Sequence, residues 1–186
     1  MVPDGSSDGP IGGASGARGG RHRLLGPRRR DLAGGPVPLA PPGIQKGRSR
    51  QRRRVLFVCI GNSCRSQMAE AFARAYGSDV MEVQSAGVSA AMVISPLTIE
   101  TLAARNLKLE DQFPKSLEMV ADQGWDVLVN MSGTPVSLPG AQTFNWHVPD
   151  PIGHPESIYR SVATQVERLV MRLILELRNE TGPSGS

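Results

Sequence analysis

From residue 55 onward, short continuous apolar runs alternate with stretches whose apolar residues recur every three or four positions. Val55–Cys59 is apolar throughout, the pattern of a strand buried on both faces. Met68, Ala69, Phe72, Ala73 and Tyr76 then fall at helical spacing over Ser66–Tyr76, with Gly77 where a C′ residue belongs. Met81–Ser85 predicts a second strand, closed by the turn Ala86-Gly87. Ser95-Pro96 is a cap followed by Pro at N1, which opens a helix through about Asn106. Leu117–Gln123 predicts a further short helix, Asp126–Met131 a strand, and Thr143–Val148 a fourth strand. The clearest period comes last. Ile158, Val162, Val166, Leu169, Val170, Leu173, Ile174 and Leu177 form one stripe behind Pro155, a helix that packs its apolar side on the sheet. Alternation of this kind predicts a three-layer α/β/α domain over residues 52–180, built on a mainly parallel four-stranded sheet. Such sheets bind ligands outside the carboxyl ends of their strands.

Composition separates this region from what precedes it. Residues 1–54 carry 12 Lys and Arg against 3 Asp, or +9, so the remaining 9 basic and 14 acidic residues leave the rest at −5. The same stretch holds 12 of the 21 Gly and 7 of the 15 Pro. A segment so poor in apolar residues cannot offset its chain entropy, and residues 1–51 are expected to be a disordered basic leader, with 181–186 a flexible tail. The leader lacks the apolar core of a secretory signal. Its Gly and Pro, with Asp4, Asp8 and Asp31, argue against an amphipathic transit peptide. Arg28-Arg29-Arg30 and the cluster from Arg48 to Arg54 could hold nucleic acid weakly by charge, although no aromatic residue interleaves them for base stacking. Two cysteines are too few for a secreted disulfide framework, which predicts a reducing, cytoplasmic setting. No run approaches the roughly 20 apolar residues of a membrane span, so no membrane partner is expected.

The chemistry concentrates where the first strand meets the first helix. In Cys59-Ile60-Gly61-Asn62-Ser63-Cys64-Arg65-Ser66, a strand ends in a thiol, turns, and enters a helix, so several backbone N–H groups face one concavity. That is an oxyanion cradle. Arg65 adds a planar fork of donors matched to two oxygens of a phosphate or arsenate. Cys59 lies beneath the anion's central atom, and the helix dipole, the amides and Arg65 all favour its thiolate. Attack on a bound ester then needs a proton donor for the leaving oxygen. Asp150, in Val148-Pro149-Asp150-Pro151 just past a strand, is the candidate; its carboxylate can afterwards activate the hydrolytic water. No metal is predicted, because thiolate, arginine and backbone dipoles supply the stabilisation that metals supply elsewhere. His147 and His154 flank the acid loop and are read as surface or hydrogen-bonding residues.

Strand, Cys-x5-Arg-Ser, helix and a downstream Asp-Pro ahead of the last helix together resemble the low-molecular-weight protein tyrosine phosphatase superfamily, which includes phosphatase-like arsenate reductases. The resemblance spans roughly residues 53–178. It implies that Cys59 is the nucleophile, Arg65 the anion-binding arginine and Asp150 the general acid. It further implies that Ile60, Gly61, Asn62, Ser63, Cys64 and Ser66 form the binding loop. Within that loop Asn62 holds the strained turn and Ser66 stabilises the thiolate, while Ser85 supports Asn62 from a neighbouring strand. Each support also has a plainer reading: Asn62 as any turn residue, Ser66 as a helix cap, Ser85 as a strand end. For Cys64 two readings stand side by side, a reversible disulfide with Cys59 and a small buried apolar residue.

The expected function is a cysteine-dependent phosphomonoesterase acting through a cysteinyl-phosphate on a phosphorylated protein or small phosphoester. The alternative is arsenate reduction, and a third reading is an oxyanion-binding module without turnover. The loop sequence and Asn145-Trp146-His147 resemble the reductase branch. Members of that branch coupled to thioredoxin relay oxidation through two further cysteines, whereas Met131-Ser132-Gly133 to Gly140 contains none. Reduction by this sequence would therefore need an external thiol or redoxin. Ile152 stands where phosphatases acting on tyrosine place an aromatic wall. Trp125 and Trp146 are candidates to line the mouth, Trp125 equally to pack beneath a helix.

Overall fold

The computed structural model describes residues 51–109 and 111–180; the leader, apart from Gln51, and the tail lie outside them. Four strands form one sheet: β1 (Arg53–Cys59), β2 (Met81–Gly87), β3 (Val127–Asn130) and β4 (Gln142–Asn145). Their order is β2-β1-β3-β4, and every pairing is parallel. The chain steps from β1 to one side and then returns to β1's other side. The carboxyl end of β1 is thus the switch point at which such sheets open a crevice. Cys59 is its last residue.

Alternation along β1 sends Val55, Phe57 and Cys59 to one face and Leu56 and Val58 to the other, and all five are buried. The first face carries the larger core. It is covered by α1 (Arg65–Gly77) and the long α3 (Glu156–Glu180), with α2 (Pro96–Ala103) packed on both. The second core gathers Leu56, Val58, Ala86, Val120, Trp125 and Leu128 under the segment from Leu117 to Ala141. The third layer is therefore made of turns and loop.

Several boundaries depart from expectation for local reasons. Leu117–Gln123 forms two single 3-10 turns, Leu117–Met119 and Ala121–Gln123, halted by Gly124 at φ 74°. Helix α2 stops at Ala103, and Asn106 turns left-handed at φ 60°. Ser95 makes no side-chain cap; its hydroxyl instead pairs with the Tyr159 hydroxyl at 3.0 Å. The α3 stripe is shifted at its start, where Tyr159 is buried and Ile158 faces outward. Strand β2 runs on to Gly87, and β4 is earlier and shorter than Thr143–Val148. Gly77 is the last residue of α1 and not a left-handed cap. A Cβ there would lie 2.9 Å from Ile174, so its bareness is what lets α3 approach.

Candidate active site

The loop between Cys59 and α1 is held open by its carbonyls. Val88 N–H donates to Cys59 O (3.0 Å), Ser89 N–H to Ile60 O (2.9 Å), Ala91 N–H to Gly61 O (2.8 Å), and Ser95 N–H to Ser63 O (3.1 Å). The Thr98 hydroxyl adds a second bond to Ser63 O at 3.1 Å. One segment, residues 88–98, therefore grips the loop from outside. Among the described residues the amides of Ile60 to Cys64 meet no backbone acceptor. A loop of this kind at a helix N-terminus has the donors an anion-binding cradle requires.

Inside the cradle the side chains form a buried polar chain. The Cys59 Sγ lies 2.9 Å from Ser66 Oγ. Asn62, at φ 47°, donates both amide hydrogens, to Ser66 Oγ and to Ser85 Oγ, each at 2.8 Å. Asparagine tolerates that left-handed geometry because it gains local hydrogen bonds. Its Oδ1 accepts the Lys115 N–H at 2.9 Å, and Ser85 donates to Glu70 Oε2 at 2.6 Å. Gln67 closes the rear by donating to Asn62 O at 3.0 Å. Asn62, Ser66, Gln67, Glu70 and Ser85 are all fully buried.

Arg65 faces the acid loop. Its Nη1 donates to Met131 O (2.8 Å) and Val148 O (3.2 Å), while Nη2 bonds the Asp150 carboxylate. Its Nε is buried and has no partner. Asp150 keeps its other oxygen on the Ile152 N–H at 3.2 Å. Behind Arg65 is a cavity of about 330 Å³ that includes Met131, Ser132, Trp146 and Val148 among its lining residues.

The expected residues thus converge: Cys59, Asn62, Ser66 and Ser85 in one network, Arg65 and Asp150 in one ion pair. Ile60 instead exposes its side chain, and the Ser63 hydroxyl turns outward to Val93 O at 3.0 Å. Their contribution to the cradle is backbone. Cys64 is buried, with its Sγ 3.9 Å from the Tyr159 hydroxyl. Burial pushes its thiol pKa up, against hydrogen bonds to Thr98, Tyr159 and Ser63. Trp125 lies on the opposite sheet face, donating to Val120 O at 2.7 Å beneath Arg54, away from any mouth. Ser132 is buried and bonded to Asn130 and Thr134. Sequence reasoning assigned no role to Glu70 or Lys115. Glu70 lies one turn beyond Ser66 on α1, a spacing that could have flagged it; Lys115, in a loop 53 residues from Asn62, carries no local signal.

Gly87 is the tightest point of the site. A Cβ there would stand 2.7 Å from Ile60 O, 2.9 Å from Asn62 N and 3.0 Å from Gly61 C, all backbone atoms that cannot swing aside. Gly87→Ala is expected to push the loop off its donors and destabilise the fold by about 1–3 kcal/mol. Urea unfolding with an oxyanion-binding titration checks this: both should weaken together, and unchanged binding would show that the loop yields freely.

Comparison with known proteins agrees with this architecture. Residues 54–182 match the family described as low molecular weight phosphotyrosine protein phosphatase. A glutaredoxin arsenate reductase from Synechocystis sp. is 32% identical over 130 residues, covering 67% of this chain and 98% of the relative. Among solved structures, an arsenate reductase in the phosphate binding state shares 31% identity at TM-score 0.62, covering 67% of this chain and 98% of its own. A low molecular weight protein tyrosine phosphatase from T. tengcongensis shares 30% at TM-score 0.58, covering 67% and 99%. A single parallel sheet with a thiol loop at its switch point defines the class, an enzyme fold of the low-molecular-weight phosphatase type. The chain belongs to the low-molecular-weight phosphotyrosine protein phosphatase family, the superfamily that its motifs resembled.

Proposed function

We propose that this protein reduces arsenate to arsenite, with Cys59 as nucleophile and an external thiol or redoxin as reductant. The observation that carries the reading is the Cys59–Ser66 contact at the floor of a cradle whose amides and Arg65 Nε await an anion. In the first step the Cys59 thiolate bonds to arsenic(V). One As–O bond breaks, and that oxygen leaves as water with a proton from Asp150. An external thiolate then attacks Cys59 Sγ; the S–As bond breaks, its electron pair passes to arsenic, and arsenite departs. A second thiol of the same class resolves the mixed disulfide, so two thiols supply the two electrons and emerge as a disulfide.

Two features favour arsenate and an outside reductant. The chain has only Cys59 and Cys64, and Cys64, raised in pKa by burial and turned toward Tyr159, is a poor resolving thiolate. Ile152, beyond the Asp-Pro pair, is about half exposed and offers no ring wall for a phenyl ester. The curated relatives described as arsenate reductases, including one named for glutaredoxin, support the same choice. A reducing compartment such as the cytoplasm suits both the thiols and the reductant; no helix among the described residues is long and apolar enough to cross a membrane.

Phosphomonoester hydrolysis is the second reading, favoured by the Asp150 carboxylate being held beside Arg65, where it can act as the base that activates the hydrolytic water. Full-length protein given arsenate, glutathione and a glutaredoxin should release arsenite only when thiols are present. If no arsenite forms and p-nitrophenyl phosphate is hydrolysed, the second reading replaces the first. Phosphate binding with neither activity would leave only a binding module.

A further inference from the structure

Every carbonyl from Cys59 to Ser63 accepts a hydrogen bond from a donor beyond the loop itself. A trans peptide unit is planar, and its N–H points opposite to its C=O. Fixing a carbonyl therefore aims the N–H of the next residue the other way. With these carbonyls turned outward, the amides of Ile60, Gly61, Asn62, Ser63 and Cys64 turn toward the concavity between Cys59 and the start of α1, where an oxyanion binds.

The carbonyls are not all held by the same means. Backbone N–H groups of Val88, Ser89, Ala91 and Ser95 hold those of Cys59, Ile60, Gly61 and Ser63. The strap of residues 88–98 skips Asn62 O, which is held instead by a side chain, Gln67 Nε2 at 3.0 Å. Gln67 is fully buried and fixed in one orientation. Its two Nε2 hydrogens go to Asn62 O and to Phe113 O (3.2 Å), and its Oε1 accepts from Gln112 Nε2 at 2.8 Å. Turned end for end, the amide would set its oxygen against two carbonyls. The bonds of the Asn62 side chain to Ser66, Ser85 and the Lys115 N–H do not replace this one. They fix χ angles, whereas the direction of Asn62 O is set by ψ of Asn62. A single peptide plane can turn by paired changes in that ψ and in φ of Ser63 while its neighbours stay in place.

We infer that Gln67 is a positioning residue for the oxyanion cradle: by holding Asn62 O outward it keeps the Asn62–Ser63 peptide plane from turning, and so aims the Ser63 N–H at the bound anion. Gln112, from the loop after α2, fastens Gln67 in turn. The inference rests on the cradle binding an oxyanion, but not on whether arsenate is reduced or an ester hydrolysed.

The test follows single amides. Isotope-labelled full-length protein is titrated with inorganic phosphate, and the amide resonances of residues 60–64 are tracked by NMR in wild type and in Gln67→Met, which keeps the length of the side chain without its donors. In wild type all of these amide protons should shift as phosphate fills the site. In Gln67→Met the Ser63 shift should fall by about half or more and phosphate affinity by about tenfold, while Gly61 and Cys64, whose planes are held by backbone donors, still respond. A merely structural glutamine would lower the melting temperature and affect no one amide above the rest. A Ser63 response equal to wild type overturns the inference, as does an equal loss at every amide of the loop. If Gln67→Met does not fold, as circular dichroism would show, Gln67→Asn, whose amide falls one methylene short of Asn62 O, is read in the same way. Wild-type protein that binds no phosphate would overturn the cradle and the role of Gln67 together. An unselective loss in protein that does bind phosphate overturns the role of Gln67 alone and leaves the arsenate reading standing.

Discussion

Cys59→Ser is expected to lower turnover by about 10⁴-fold or more, with arsenate and with p-nitrophenyl phosphate alike, while inorganic phosphate still binds. The reason lies in what the cradle can and cannot do. A thiol at the end of β1 lies 2.9 Å from the Ser66 hydroxyl, and sulfur is intrinsically a far stronger nucleophile than an alcohol oxygen. An alcohol begins with far weaker acidity, so the same surroundings leave it protonated at neutral pH. The anion-binding amides belong to the backbone and survive the exchange. Steady-state kinetics beside a phosphate titration read the two effects separately. Turnover near that of wild type would mean that the nucleophile is elsewhere and that the Cys59 loop only binds.

Arg65→Lys should cost about 10²–10³-fold in turnover, although the charge is kept. Arg65 is buried and its planar fork serves three groups at once: Met131 O, Val148 O and the Asp150 carboxylate. A lysine offers one small ammonium on a flexible stem and cannot meet the oxyanion's two oxygens in a plane. Two buried carbonyls would also lose their donor, a destabilisation of about 1–3 kcal/mol. The signature is a fall in kcat together with a lower melting temperature. Retention of activity within a factor of three would show that the fork is dispensable and that charge alone suffices.

Much of this site is local in sequence, and that part was legible. Cys59, Asn62, Arg65 and Ser66 occupy one strand-turn-helix, where spacing determines placement, and the apolar period of α3 located its core side to within one residue at its start. Asp150 was recognisable because proline pairs mark a stiffened loop after a strand. What escaped was non-local. Nothing near Lys115 indicates that its backbone would reach Asn62, because that contact depends on how the loop after α2 returns to β2. The tightness at Gly87 is equally invisible: the residue reads as a turn, whereas the demand comes from the Cys59 loop packed across it. The segment 117–123 misled because apolar residues at helical spacing can also serve two 3-10 turns that cover the second sheet face.

The ties that shape the cradle all come from later in the chain. Ser63 waits 30 residues for Val93, Asn62 waits 53 for Lys115, and Arg65 waits 85 for Asp150. During synthesis the Cys59 loop therefore emerges before any of these three partners. The loop takes its shape only once these contacts form, and contacts of such sequence separation carry the loop-closure cost that slows folding. A newborn chain thus carries the Cys59 loop unshaped until the residues that hold it have been made.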